Sequence, residues 1–330
     1  MLVLNFMFKA LKSALSVLVL SSVFISPAKA TIHVTLAGEL LRVESRLERQ
    51  HTISYEFRRC MANHLYTFSR VLVDTTTVNE ATSDNIGPFL IGGAGWTGGN
   101  HLLASGLPSA YTDSISIFAD GRRIMNDFSG EAQCVRVCVG NTLLNPSDSS
   151  QKFCTESITY TICGNSIQVS ATHHYLNRQP LTVDRYYGMQ SMMIGETEIL
   201  TPGGEYSRWT PVDSVDRFTR KSAPRFHQFI EKSNVCYAAA FLTDAGLGDH
   251  HLISDDDVVF IGNSWSKSYH KLMGNSIVKC GETTHWEGVY TWFLSPLVSD
   301  PDHFSYIGYF NGKPAVFSHN KLNDHISLLK

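Results

Sequence analysis

Thr155-Glu-Ser-Ile-Thr-Tyr-Thr-Ile-Cys-Gly164-Asn165-Ser-Ile-Gln-Val-Ser-Ala-Thr-His-His-Tyr175 is the stretch that decides the fold. Gly164-Asn165 is a hairpin dipeptide flanked by alternating residues. Pairing outward from it, Ile162 meets Ile167, Tyr160 meets Val169 and Ile158 meets Ala171. The opposite face pairs Thr161 with Gln168, Thr159 with Ser170 and Ser157 with Thr172. One face is wholly apolar and the other wholly polar. A slip of one residue would exchange the two faces, so the register is strongly specified. It carries His173 onto the apolar row opposite Glu156, and His174 onto the polar row opposite Thr155.

Two more hairpins follow the same logic. Asp120-Gly121 favours the type I′ turn, with Ser114–Ala119 running out, Arg122–Asn126 returning and Ile117 facing Ile124. Asn311-Gly312 sets Ile307 against Val316 and Tyr306 against Phe317. Ile53–Phe57, Tyr66–Val73, Val258–Ile261 and Val289–Leu294 also read as strands. Helix signals are few. Ser222-Ala-Pro-Arg-Phe-His-Gln-Phe-Ile-Glu-Lys reads as one short helix, capped by Ser222, with Phe226, Phe229 and Ile230 on one face. The expectation is an all-β protein: a large antiparallel β-sandwich with long loops and at most one or two short helices. A boundary near residues 195–215, where Thr201-Pro-Gly-Gly and Pro211 cluster, is weighed and not adopted, leaving residues 31–330 as a single domain.

The first thirty residues read as an address. Lys9 and Lys12 precede an apolar run over Ser13–Ile25 that is too short to span a bilayer. Ala28-Lys29-Ala30 is an A-x-A cleavage site, so the mature chain begins at Thr31. This places the protein outside the cell or in a periplasm, with no membrane partner after cleavage. The full chain has a formal net charge of −3, and the removed segment carries only lysines. An acidic chain argues against nucleic acid, whose phosphates need a basic face. All seven cysteines lie in the mature part, where an oxidising compartment favours disulfides. Cys134, Cys138, Cys154 and Cys163 crowd together and are the expected participants. Cys134 and Cys138 share one strand about 13 Å apart, at ~3.3 Å per residue, and cannot bond each other. Cys138 with Cys154 is one pairing among several.

Asp84–His101 holds six glycines and closes on Trp96, Asn100 and His101. Gly93-Ala-Gly95-Trp-Thr-Gly98 spells a dinucleotide fingerprint, but that motif needs a following helix, and Gly99-Asn-His-Leu-Leu-Ala-Ser-Gly-Leu-Pro is a poor one. The remaining readings are a glycine-rich strand connection and a ligand-contacting loop. Arg178, Arg185, Tyr186 and Tyr187 offer guanidinium forks beside aromatic hydroxyls, suited to a carboxylate or sugar. Lys267 and Tyr269 share a strand face and pair a cation with a proton carrier. Asp249-His250-His251 and Asp255–Asp257 lack EF-hand spacing, and no H-E-x-x-H occurs, so no metal or cofactor is assigned.

The leading expectation is a secreted carbohydrate-active enzyme of lyase or hydrolase type, acting on a polysaccharide or oligosaccharide. His174, Tyr187 and Tyr269 are its candidate catalytic residues. Trp96, Asn100, His101, Arg178, Arg185 and Lys267 are its candidate substrate contacts. The alternative is a non-catalytic sugar-binding or adhesive protein using the same aromatics. A metal-dependent hydrolase ranks third.

Overall fold

The computed structural model describes residues 31–48, 50–60, 62–80, 85–192, 197–201, 205–209, 215–218, 227–232, 235–243, 245–250, 259–262, 267–294, 303–320 and 323–329; side chains are described for those of 31–190, 246–250, 271–294, 305–318 and 325–329 among them. The described residues are nearly all in antiparallel strands. In chain order the first are β1 (Ile32–Ala37), β2 (Leu40–Leu47), β3 (His51–Cys60), β4 (Leu65–Val73), β5 (Thr76–Glu80), β6 (Phe89–Ile91) and β7 (Gly95–Thr97). The middle of the chain gives β8 (Ala110–Ala119), β9 (Arg122–Ile124), β10 (Phe128–Ala132), β11 (Val135–Asn145), β12 (Asp148–Cys163), β13 (Ser166–Tyr175) and β14 (Leu181–Met192). Then come β15 (Thr197–Thr201), β16 (Glu205–Trp209), β17 (Val215–Phe218), β18 (His227–Lys232) and β19 (Val235–Thr243). After a 3-10 turn at Ala245–His250 follow β20 (Val259–Gly262), β21 (Lys267–Val278), β22 (Thr283–Phe293), β23 (His303–Phe310), β24 (Lys313–Asn320) and β25 (Asn323–Leu328).

Ten strands form one layer in the order β16-β15-β18-β19-β22-β13-β12-β11-β8-β9. Two six-stranded sheets face it: β10-β1-β2-β3-β4-β5 and β17-β20-β21-β14-β6-β7. Aromatic contacts show which faces meet. From the N-terminal sheet, Phe57 and Phe68 pack on Tyr160 of β12, with centroids 5.3 and 5.9 Å apart, and Tyr55 packs on Trp292 of β22 at 5.4 Å. From the other sheet, Phe89 packs on Phe153 at 5.2 Å and on His173 at 5.0 Å. The expected sandwich is therefore present, with a split second layer. Such edge-to-face rings add about 0.5–1.5 kcal/mol per pair beyond the area they bury.

The three hairpin registers read from turn dipeptides all occur: Tyr160↔Val169, Ile117↔Ile124 and Ile307↔Val316. Asp120 and Gly121 both take positive φ (46° and 79°), as do Asn311 and Gly312 (51° and 73°), the type I′ signature. At Gly164-Asn165 only the glycine does (54°), which matches type II′. His173 is wholly buried opposite Glu156, and His174 is exposed opposite Thr155.

Two expectations are corrected. Residues 227–232 are strand β18, paired to β15 and β19, where a short helix was expected; residues 222–226 lie outside the described residues. A weak local helix pattern loses to cross-strand pairing on both sides. The disulfide joins Cys134 to Cys163, with Cα atoms 4.7 Å apart. They flank the paired Val135↔Ile162 and so stand directly opposite. Cys138 cannot reach Cys154, because Cys138 lies opposite Thr159 and the buried Cys154 opposite Leu143. The polar face of the Gly164-Asn165 hairpin is covered near its turn. The three-stranded sheet β23-β24-β25 lies there: Gln168 accepts from the Asn311 N–H (2.9 Å) and donates to Asn311 Oδ1 (3.1 Å), and Ser166 Oγ accepts from the Tyr309 N–H.

Candidate functional site

The glycine-rich stretch folds into the β6–β7 hairpin, in which Leu90 pairs with Trp96. Its tip is closed by the Ala94 N–H on the Ile91 carbonyl (3.0 Å), with Gly93 and Gly95 at positive φ. β6 in turn pairs with β14, setting Arg185 beside Leu90. Trp96, Leu90 and Arg185 are thus neighbours in one cross-strand row. A bulge in β14 around Tyr187 follows, and Tyr187 stands opposite Lys271 of β21. No helix follows the glycines, so the dinucleotide fingerprint is a hairpin here.

Three rings assemble on this edge. Trp96 stacks with His101 at 4.7 Å and 19°, and with Tyr187 at 5.9 Å and 22°. Arg185 Nη1 donates to the Tyr187 hydroxyl at 3.4 Å. Trp96 and His101 are half-buried, Arg185 is exposed, and Tyr187 is 7% exposed. The cluster offers a guanidinium, a phenol, an indole and an imidazole in one place.

The loop that carries His101 is held by a side chain that belongs to no sequence motif. Asn63 Nδ2 donates to the Gly99 and His101 carbonyls (2.8 and 2.9 Å), while its Oδ1 accepts the Ser109 N–H (2.9 Å). Ser109 Oγ accepts the Gly98 N–H (3.0 Å) and donates to the His101 carbonyl. Thr97 Oγ1 bonds the Leu144 carbonyl at 2.7 Å. Asn100 Oδ1 accepts the Ala62 N–H at 2.7 Å and anchors the loop. Gly98 (φ +81°) is buried, and a Cβ there would meet Leu143 Cδ2 at 2.8 Å. That glycine serves close packing.

The backbones of Tyr269 and Lys267 lie in the same sheet, opposite Gln190 and Met192; their side chains lie outside the described residues. His174 belongs to another surface. It stands on the outer face of the ten-stranded sheet, with Nδ1 3.2 Å from Thr283 Oγ1. Beside it His285 contacts Thr172 Oγ1 through Nδ1 (3.0 Å) and Glu287 Oε1 through Nε2 (3.5 Å). Arg178 is exposed in the link after β13, and its charge helps hold the Asp148 carboxyl below the usual range, after the hydrogen bonds from Ser150 and Gln151. His250 meets Glu282 at 3.4 Å; residues 251–258 lie outside the described residues. Among the described residues no group of His, Cys, Asp and Glu side chains is arranged to hold a metal ion.

Beneath the stack runs a buried polar chain. Trp286 Nε1 donates to the Tyr186 hydroxyl at 2.8 Å, and that oxygen lies 3.3 Å from His173 Nε2. His173 Nε2 is 3.0 Å from Glu156 Oε2, while Glu156 Oε1 accepts from Asn141 Nδ2 at 2.8 Å. His173 Nδ1 makes no hydrogen bond, so the Nε2–H tautomer, which leaves only a lone pair unmet, fits best. Burial pushes the Tyr186 phenol well above its ordinary range. Phe89 lies flat on Tyr186, 4.0 Å away at 10°. The chain therefore clamps the inner side of β14, which carries Arg185 and Tyr187, and of β6 beside it.

No protein-family model matches this sequence, and comparison with curated proteins finds no relative. Solved structures with similar sheet packing include the galactosidase domain of the alpha-galactosidase-sucrose kinase AgaSK, with TM-score 0.47 and 9% identity over 79% of this chain and 42% of that one. The GH36 alpha-galactosidase AgaB from Geobacillus stearothermophilus gives TM-score 0.46 and 10% identity over 79% and 41%. A heparan sulfate lyase HepC mutant from Pedobacter heparinus gives 0.37 and 6% over 90% and 42%. The chain spans about two fifths of the length of each. No residue's role follows from likeness at this level.

Proposed function

We propose that this chain is a secreted carbohydrate-active protein that takes an acidic polysaccharide at the Arg185–Tyr187–Trp96–His101 edge and cleaves it by β-elimination. One observation carries the reading: the Arg185 guanidinium reaches the hydroxyl of Tyr187 while Tyr187 stacks on Trp96. Arg185 is placed to offset a uronate carboxylate, which acidifies the proton on the adjacent carbon. Tyr187 oxygen, held beside that cation, takes the proton. The electron pair forms the new C=C bond, the glycosidic C–O bond breaks, and the departing oxygen receives the proton that Tyr187 took. Trp96 and His101 supply the apolar edge for neighbouring sugar rings.

The low exposure of Tyr187 favours a second reading, a binding platform without chemistry. The same experiment separates them. The mature chain is incubated with uronate polysaccharides while the ultraviolet absorbance of the conjugated product is followed, and affinity electrophoresis runs in parallel. Elimination that falls 100-fold or more in Tyr187→Phe, at the order expected for a lost acid–base group, supports the lyase. Retardation without product, lost in Trp96→Ala, supports the platform. Neither signal with any acidic polysaccharide refutes both.

A further inference from the structure

The outer face of the ten-stranded sheet carries a groove remote in sequence from that edge. Four side chains stand abreast on four adjacent strands: Phe118, Arg136, Thr161 and Gln168, paired in that order. Two hairpin turns, Asp120-Gly121 and Asn311-Gly312, wall the row, and Cys134 of the disulfide also lines it. The groove measures about 380 Å³, within the ~300–1,000 Å³ typical of small-ligand sites.

The amide and acid side chains of this groove are already occupied within the protein. Gln168 and Asn311 bond each other. Asp120, the acid on the wall, turns its carboxylate onto the backbone N–H groups of Gln133 and Cys134 (2.9–3.1 Å). Arg136 holds its guanidinium carbon 4.9 Å from the centre of the Phe118 ring, and no carboxylate among the described residues lies within ion-pair distance of it. A guanidinium resting on an aromatic face keeps its edge donors outward and loses little rotamer freedom on binding. Thr161, directly across the strand pair, brings a hydroxyl beside it.

We infer that this groove is a second binding site, for an oxyanion carried on a hydroxylated molecule: the carboxylate or sulfate ester of an acidic saccharide. Arg136 takes the anion bidentately. Thr161 and the turn backbones meet the hydroxyl groups. The site stands on its own geometry and does not depend on the chemistry proposed for the Arg185 edge.

The test is ligand-observed saturation-transfer NMR titration of the mature chain with glucuronic acid and glucose 6-sulfate, with glucose as a control and inorganic sulfate read through its displacement of glucose 6-sulfate. Binding of either acid sugar, weakened tenfold or more in Arg136→Gln and at least threefold in Thr161→Val, supports the groove; the two probes tell which oxyanion it prefers. Arg136 is exposed, so its variant should melt with the wild type. Arg185→Gln should leave this component intact. Wild-type affinity in Arg136→Gln overturns the inference, even where Arg185→Gln abolishes binding and so preserves the other site. Inorganic sulfate binding as well as glucose 6-sulfate also overturns it, as an adventitious anion site.

Discussion

His173→Ala should be among the more damaging single substitutions in this protein, and its neighbour His174→Ala among the mildest. His173 is 0% exposed, touches Phe89 and Tyr186 edge-on, and bonds Glu156 at 3.0 Å. Truncation acts twice. It removes an imidazole of roughly 65 Å³ from a packed interior, which at ~24 cal/mol per Å³ of unrelaxed cavity costs about 1.5 kcal/mol. It also strips one oxygen of Glu156, itself 4% exposed, of its partner, a loss of about 1.5–3 kcal/mol for a hydrogen bond to a charged group. The total of about 3–4.5 kcal/mol is a large part of the ~5–15 kcal/mol that holds a domain together. His174 is exposed with one 3.2 Å contact to Thr283, so its loss should stay within about 0.5 kcal/mol. Urea unfolding of both variants, with Glu156→Gln and the His173/Glu156 double variant to close a cycle, measures this directly. A coupling of at least ~1 kcal/mol between the two sites is expected. Should His173→Ala unfold within about 1 kcal/mol of wild type at unchanged m-value, the buried pair does not clamp the sandwich as argued.

Three further outcomes follow from the packing. Cys134→Ser should destabilise by on the order of 3–4 kcal/mol, from a loop whose ends lie 29 residues apart; peptide mapping of alkylated, non-reduced protein should recover the Cys134–Cys163 pair intact. Glu56 is buried, which raises its pKa, yet the hydrogen bonds and charges of Arg42 and Arg70 outweigh burial and hold it below the usual carboxylate range. Its contribution is therefore full above the ordinary pKa of ~4.3 and lost as the pH falls through the lower folded value, so Glu56→Gln should flatten the acid limb of a stability–pH curve. Gly87→Ala would drive a Cβ to 1.4 Å from the Tyr187 carbonyl oxygen, so it should disturb the aromatic stack and change tryptophan fluorescence even where the chain still folds.

The sequence by itself settled what is local. Turn dipeptides and period-two alternation fixed three hairpin registers, and through them which of two adjacent histidines is buried, because a strand offers each residue one face and no choice. It also carried the all-β class and a set of four cysteines, of which Cys134 and Cys163 form the disulfide. What only the tertiary structure decided depends on partners far apart in the chain. Residues 227–232 became a strand because β15 and β19 pair with it from both sides. Cys163 found Cys134 because β11 lies beside β12 in a register no turn dipeptide announces. Asn100 became an anchor, and Asn63 the clamp of the glycine-rich loop, through bonds spanning about forty residues. Trp96, His101, Arg185 and Tyr187 meet because β6 threads between β7 and β14. Hydrogen bonds across strands carry no sequence spacing of their own, so which strands lie together is decided by the burial of whole faces against one another.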